Sequence, residues 1–184
     1  MKRENKGNLL DAIMTRKSVR EFKPGKIPLE DVKRIIQAGI MAPSAANSQP
    51  WRFHIVMGKT KRRLVEELDK TNTLPQLYRL FFGSIFETVP FVIIVENAVP
   101  TDRENFFSRL GTSASVENAL LAIHSLGYGS VWIGLPPILE AAKQVVHITG
   151  EIVAVLPVGY PADNQSEYTS RTRKSFEEVT RFYD

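Results

Sequence analysis

The stretch "RKSVR" at 16–20 places Arg16 and Arg20 around Ser18, with Lys17 between them. Two arginines and a serine in one turn can hold a phosphate, or the carbonyl-rich edge of a ring, through charge-assisted hydrogen bonds. Read alone, it is equally an exposed basic turn with Ser18 as a helix N-cap, which is the commoner use of such residues. Near the C-terminus, Arg171 and Arg173 in "RTRK" alternate as on an extended segment and can point toward one anion, although a solvated charge run has the same appearance. A third stretch, "APSAANSQPWRF" at 42–53, is crowded with small, polar and proline residues before it turns aromatic. Its plain reading is a helix C-terminal loop, with Pro50 as a breaker and Trp51 as core.

Several other chemistries are not signalled. There is no cysteine, which excludes disulfides, thiolate nucleophiles, cysteine-ligated zinc and iron–sulfur clusters. His54, His124 and His147 lie far apart and form no metal-binding pair on a helix face. No G-x-S-x-G elbow occurs, and "GYGSVWIG" lacks the spacing of a dinucleotide-binding turn. A protein with basic and small polar positions but no nucleophile points to chemistry carried by a bound cofactor, for which the chain supplies a cradle and an electrostatic setting. The formal charge is +4, with 24 basic residues scattered among 20 acidic ones, and the aromatics do not interleave with a basic stripe. The expected partner is a small anionic molecule rather than nucleic acid. No run approaches the roughly 18 apolar residues of a membrane span, and the N-terminus lacks a signal-peptide pattern, so the expectation is a soluble cytoplasmic protein without membrane contact.

The elements that must position these residues alternate between helical and strand periods, with no repeat or low-complexity linker, as in one α/β or α+β domain over 1–184. "GNLLDAIMT" reads as a short helix. A second helix starts near Pro28, with Leu29, Val32, Ile35, Ile36 and Ile40 as its apolar stripe. Trp51 to Met57 reads as a strand, Lys59 to Phe86 as two helical pieces broken near Asn72 to Pro75, and "FVIIV" from Phe91 as a strand covered on both faces. A long helix over about Asn105 to Leu126 precedes a strand "SVWIG", a helix from Pro137 and a last buried strand "IVAVLPV".

Five pieces, "TRKSVREF" at 15–22, "APSAANSQPWRF" at 42–53, "ENALLAIHSLGYGSVWIG" at 117–134, "VAVLPVGYPA" at 153–162 and "RTRKSFEEV" at 171–179, resemble the FMN-dependent nitroreductase family in order and spacing. The resemblance covers nearly the whole chain, and "PSxxNSQPW" joined to an upstream "R-x-S-x-R" is its most specific part. It implies an α+β, three-layer α/β/α fold around a mixed, mainly antiparallel sheet. It also implies an intertwined homodimer with two FMN molecules at the interface, and a ping-pong reaction. In that reaction NADH or NADPH reduces the flavin and leaves, and the flavin then reduces a nitroaromatic, quinone or similar small acceptor.

By the same resemblance, Arg16, Lys17 and Ser18 match positions on the ribityl-phosphate side of FMN, and Arg20 matches the cation at the pyrimidine edge. Pro43, Ser44, Ala45 and Asn47 match the segment that reaches the flavin from the partner subunit. Gly134 and Leu135 match the turn whose backbone N–H faces the redox-active nitrogen; Pro136 and Pro137 have no N–H to offer. Arg171 and Arg173 match the pair that completes the phosphate site. No side chain acts as a catalytic group and no metal is implied. The polar residue that contacts the pyrimidine edge in many members has no counterpart here, because the alignment places Phe81 or Phe82 there. Thr71 to Phe86 and Thr101 to Phe107 are the expected substrate lining. Alternatives are a specialised enzyme of the same fold, a dehalogenase or a flavin-consuming enzyme, or a non-catalytic flavin- or nucleotide-binding protein.

Overall fold

The computed structural model describes residues 9–71, 74–99, 106–163 and 172–183. The centre is an antiparallel sheet in the order β2 (Trp51–Val56), β3 (Phe91–Asn97), β4 (Glu151–Val158). β3 is the middle strand and all seven of its residues are buried. Side chains alternate across a strand, so Phe91, Ile93 and Val95 face one layer while Val92 and Ile94 face the other. The first layer is α2 (Leu29–Ile40) with α5 (Phe106–Ser125), which contribute Val32, Ile35, Val116, Ala119 and Ile123. The second is α3 (Gly58–Lys70), α4 (Gln76–Thr88) and α6 (Pro136–Lys143), contributing Leu64, Leu68, Phe86, Ile138 and Ala142. This is the three-layer α/β/α arrangement expected from the continuous apolar run of β3. Register along β3 and β4 shifts between Val95 and Glu96, and the bulge puts Ile152 and Val155 on the same face although they are three positions apart.

α3 and α4 close each other's ends. Lys61 on α3 donates from Nζ to Glu87 O at 2.9 Å and to Val89 O, where α4 stops. Arg79 on α4 donates from Nη1 to Asp69 O at 2.8 Å and Thr71 O at 3.0 Å, where α3 stops. Each cation therefore satisfies carbonyls that a helix end leaves without partners.

Three expectations need correction. "SVWIG" is not a regular strand: the segment meets β4 only through isolated bridges, Gly129 with Gly159 and Ile133 with Val155. The two bridges share one register, which sets Val131 opposite Pro157. A proline has no N–H to give, so the ladder is interrupted at its midpoint. In α2, Val32 and Ile35 are buried, but Leu29 is 66% and Ile40 38% exposed. With Met41 and with Leu9, Leu10, Ile13 and Met14 of α1 (Leu9–Thr15), they form apolar surface of the kind that marks an interaction face. Trp51 is only half-buried.

A small second sheet pairs β1 (Phe22–Lys23) antiparallel with β5 (Tyr160–Pro161). Every pairing among the described residues is antiparallel. The described C-terminal piece holds one helical turn, α7 (Phe176–Val179), started by a capping box in which Ser175 and Glu178 exchange bonds. Phe176, Val179, Phe182 and Tyr183 there are all exposed.

Candidate functional site

The segment Arg16 to Arg20 leaves α1 and is strapped to the interrupted edge of the sheet. Val19 is buried and donates its N–H to Ser130 O at 2.8 Å. Gly129 lies beneath it, where a Cβ would come within 2.6–2.8 Å of three Val19 side-chain atoms. Only glycine lets the basic segment lie this close. The side chains of the segment then leave in different directions. Arg16 pairs through Nε with Glu117 Oε1 on α5 at 3.1 Å, a contact that does not occupy its two terminal Nη groups.

Lys17 turns instead into a cavity of about 390 Å³ that it shares with Asp11, Thr15, His124 and Tyr128. Thr15 donates its hydroxyl to Asp11 O at 2.6 Å, so its contact with His124 Nε2 at 2.9 Å has the imidazole as donor. Burial, and then the charges of Arg16 and Lys17, push the His124 pKa below its ordinary value. This neutral, bonded histidine adds no positive charge to the basic segment. Arg20 lines a different cavity of about 330 Å³, against Phe22 and the α4 residues Phe81, Ser84, Ile85 and Thr88.

The loop after α2 is strained. Ala46, Asn47 and Gln49 have φ of 51°, 53° and 45°. Asparagine tolerates this left-handed region, whereas alanine and glutamine there cost about 1–2 kcal/mol each. The conformation is held by Asn47 N–H to Ser44 O at 3.0 Å, Gln49 N–H to Ser44 Oγ at 2.9 Å and Ala98 N–H to Pro50 O at 2.7 Å. From below it rests on α5 at Gly111, where a Cβ would approach Ser44 Cβ to 3.1 Å. Pro43, Ala45 and Asn47 are exposed, and Ser44 is partly so. Strain held by so many restraints is the kind of backbone outlier that collects at ligand sites.

Gly134 and Leu135 are exposed at the start of α6, and the Leu135 carbonyl accepts from Ile138 N at 2.9 Å and Leu139 N at 3.1 Å. Among the described residues no acceptor takes the N–H of Gly134 or Leu135. Arg173 is exposed ahead of α7, and Arg171 lies outside the described residues. The structure thus brings Arg20 onto α4 and Arg16 onto α5. Among the described residues, the cavities lined by Lys17 and by Arg20 do not include the 43–47 loop, which meets α5 at Gly111, a different face from the one that carries Glu117.

One charged centre is not visible from sequence. Glu96, at the end of β3, is fully buried. It accepts from His54 Nε2 at 2.8 Å, Arg52 Nη1 at 3.3 Å, Thr149 N at 2.7 Å, Thr149 Oγ1 at 3.0 Å and Gly150 N at 2.9 Å. Burial would raise its pKa, but the hydrogen bonds from Thr149, His54 and Gly150 outweigh it and hold the carboxylate at about 2. Glu96 therefore ties the starts of β2 and β4 together beside Ala98, the residue that anchors Pro50 of the strained loop.

Among the described residues no cluster of His, Cys, Asp and Glu is arranged to hold a metal ion, and no helix is long and apolar enough to cross a membrane. The donor set is cationic side chains, small hydroxyls and backbone N–H groups, without a nucleophile. Such a set fits a ligand with a terminal phosphate and a flat ring whose polar edge accepts and donates hydrogen bonds.

The comparisons agree with this chemistry. The "Putative NADH dehydrogenase/NAD(P)H nitroreductase" of Methanothermobacter thermautotrophicus is 32% identical over 165 residues, covering 87% of this chain and 81% of that protein. An iodotyrosine deiodinase of Thermotoga neapolitana is 34% identical over 178 residues, covering 87% and 92%. A "putative nitroreductase" of Desulfovibrio desulfuricans, solved in complex with FMN, superimposes with a TM-score of 0.73 at 26% identity and covers 97% of this chain and 98% of its own. With residues 13–160 matching the model described as Nitroreductase family, and with this fold around them, the chain belongs to the nitroreductase family of oxidoreductases.

Proposed function

We propose that this protein is an FMN-dependent NAD(P)H oxidoreductase that reduces small acceptors such as quinones and nitroaromatics, and that it works as a homodimer. The observation that carries the reading is the Arg16–Arg20 segment, strapped by Val19 over Gly129 so that its two arginines reach different walls. Arg16, with its Nη groups available, and Arg173 serve the phosphate, together with Arg171, Lys17 and Ser18. Arg20 serves the pyrimidine edge of the ring. Bound FMN supplies the redox chemistry, taking a hydride equivalent from the nicotinamide and passing two electrons on. The N–H groups at Gly134 and Leu135 are the chain's donors toward the reacting edge of the ring.

The dimer follows from the divided site. The Pro43–Asn47 loop meets α5 at Gly111, whereas Arg16 pairs with Glu117 on another face of that helix and Arg20 lies against α4, which supports a site in which the loop serves a flavin held by the arginines of a second copy. Exposed apolar residues of α1, α2 and the C-terminal piece give that copy a surface to cover. Sedimentation at micromolar concentration is expected to give about twice 20.8 kDa. The test of function is anaerobic titration of the purified flavoprotein with each nicotinamide, followed by steady-state oxidation with a quinone or nitroaromatic acceptor. Flavin that is not bleached by either nicotinamide would sink the proposal.

The 34% identity to an iodotyrosine deiodinase favours one second reading, reductive dehalogenation. Two electrons and a proton would replace an aryl iodine by hydrogen and release iodide. Iodide release from iodotyrosine by the chemically reduced protein, exceeding its rate with quinones, would select that reading over the first.

A further inference from the structure

The cavity beside Arg20 answers which side chain meets the polar edge of the ring on the α4 side, a role for which the sequence supplies only Phe81 or Phe82. Phe82 is buried in the core. Phe81 does reach the cavity, but it has no polar atom. One turn further along the same face, Ser84 also lines it, together with Arg20. The Ser84 hydroxyl donates to Phe81 O at 2.8 Å. Its proton is therefore committed and its lone pairs are left to accept. Thr88, another turn along, is bonded in the same way to Ser84 O at 2.8 Å, but it is half-buried at the last residue of the helix, whereas Ser84 is exposed.

The polar edge of an isoalloxazine ring presents carbonyl, N–H and carbonyl in a row. An arginine can donate to the carbonyls but cannot accept from the N–H. A cavity that recognises this edge needs an acceptor as well as the cation. Ser84 is uncharged, so unlike Glu21, which lines the same cavity, it does not oppose negative charge gained by the ring on reduction.

We infer that Ser84 accepts the N3–H of the flavin and, with Arg20, reads its pyrimidine edge, making it a specificity residue for the ring. The inference rests on FMN being the cofactor. Apoprotein is titrated with FMN and with 3-methyl-FMN, whose N3 carries a methyl group in place of hydrogen, following quenching of flavin fluorescence in wild type and Ser84→Ala. Wild type is expected to prefer FMN by about tenfold or more. Ser84→Ala is expected to bind FMN about three- to tenfold more weakly, the loss of one hydrogen bond, and to bind the two flavins within about twofold of each other. Alanine is the better helix former and the site is exposed, so the variant folds, as unchanged far-ultraviolet dichroism will verify. Equal binding of both flavins by wild type, or undiminished preference in Ser84→Ala, overturns the inference while leaving FMN as cofactor. A wild type that binds neither flavin overturns the cofactor reading and this inference together.

Discussion

Replacing Glu96 by glutamine keeps the shape of the buried hub and removes its charge. In the native protein the carboxylate takes three bonds on Oε1, from Thr149 N, Thr149 Oγ1 and Gly150 N, and two on Oε2, from Arg52 and His54. A glutamine can turn its carbonyl to only one set. With the carbonyl toward Thr149 and Gly150, its NH₂ group faces the Arg52 guanidinium and the His54 N–H, donor against donor. The cost follows from linkage. The Glu96 pKa falls from the ordinary 4.5 to about 2, which corresponds to about 3 kcal/mol of stability at neutral pH.

The sign is fixed by the direction of that shift. A carboxylate whose folded pKa is depressed contributes fully above its unfolded value and loses the contribution as pH falls toward the folded one. Urea unfolding of wild type and Glu96→Gln at one protein concentration is therefore expected to differ by about 3 kcal/mol at pH 7. The difference should close between about pH 5 and pH 2. For a chain of this length it corresponds to roughly 6–12 °C in melting temperature at neutral pH. A difference below about 1 kcal/mol, or one that stays constant from pH 7 to pH 3, would refute the assignment of Glu96 as an ionised hub.

Arg20→Ala and Arg173→Ala are expected to fail differently: saturated with FMN, the first lowers the midpoint potential by about 30–65 mV, from a charge-assisted bond of about 1.5–3 kcal/mol. The second weakens FMN binding and leaves the potential near wild type, and equal potentials in the two variants would contradict the placement of Arg20. Gly129→Ala drives a methyl group into Val19 and is expected to displace the Arg16–Arg20 strap, reducing FMN affinity by tenfold or more in a fluorescence titration while far-ultraviolet dichroism stays native. Ala46→Gly relieves a φ of 51° and is expected to stabilise the fold by up to about 1 kcal/mol in urea unfolding. The same variant should bind FMN more weakly, because the loop is less ordered before binding.

What was legible in the sequence was carried by local runs. β3 could be read from five consecutive apolar residues because a strand buried on both faces has no polar side to show. The two helical pieces before it were separable because Pro75 and its neighbours interrupt the pattern. Where the chemistry depends on residues far apart, sequence gave no purchase. Glu96 follows an apolar run and reads as the polar end of a strand, because the partners that bury and ionise it, Arg52, His54 and Thr149, are 42 to 53 residues away. Ser84 was hidden for the same reason: nothing local distinguishes it from any serine on an exposed helix face until α4 packs against β1 and brings it into one cavity with Arg20. The failed strand at 130–134 is the instructive case between these. Its own residues favour a strand, and the defect lies in its neighbour, where Pro157 removes one N–H from the ladder. Gly129 keeps both of its bonds to Gly159, and Ser130, whose backbone turns away from β4, offers its carbonyl to Val19, so the basic segment is strapped along the outer edge of this piece. The irregularity in the sheet thus comes from Pro157, while the position of the cations comes from the free edge beyond it and from the missing Cβ of Gly129, and neither cause is local to the residues it affects.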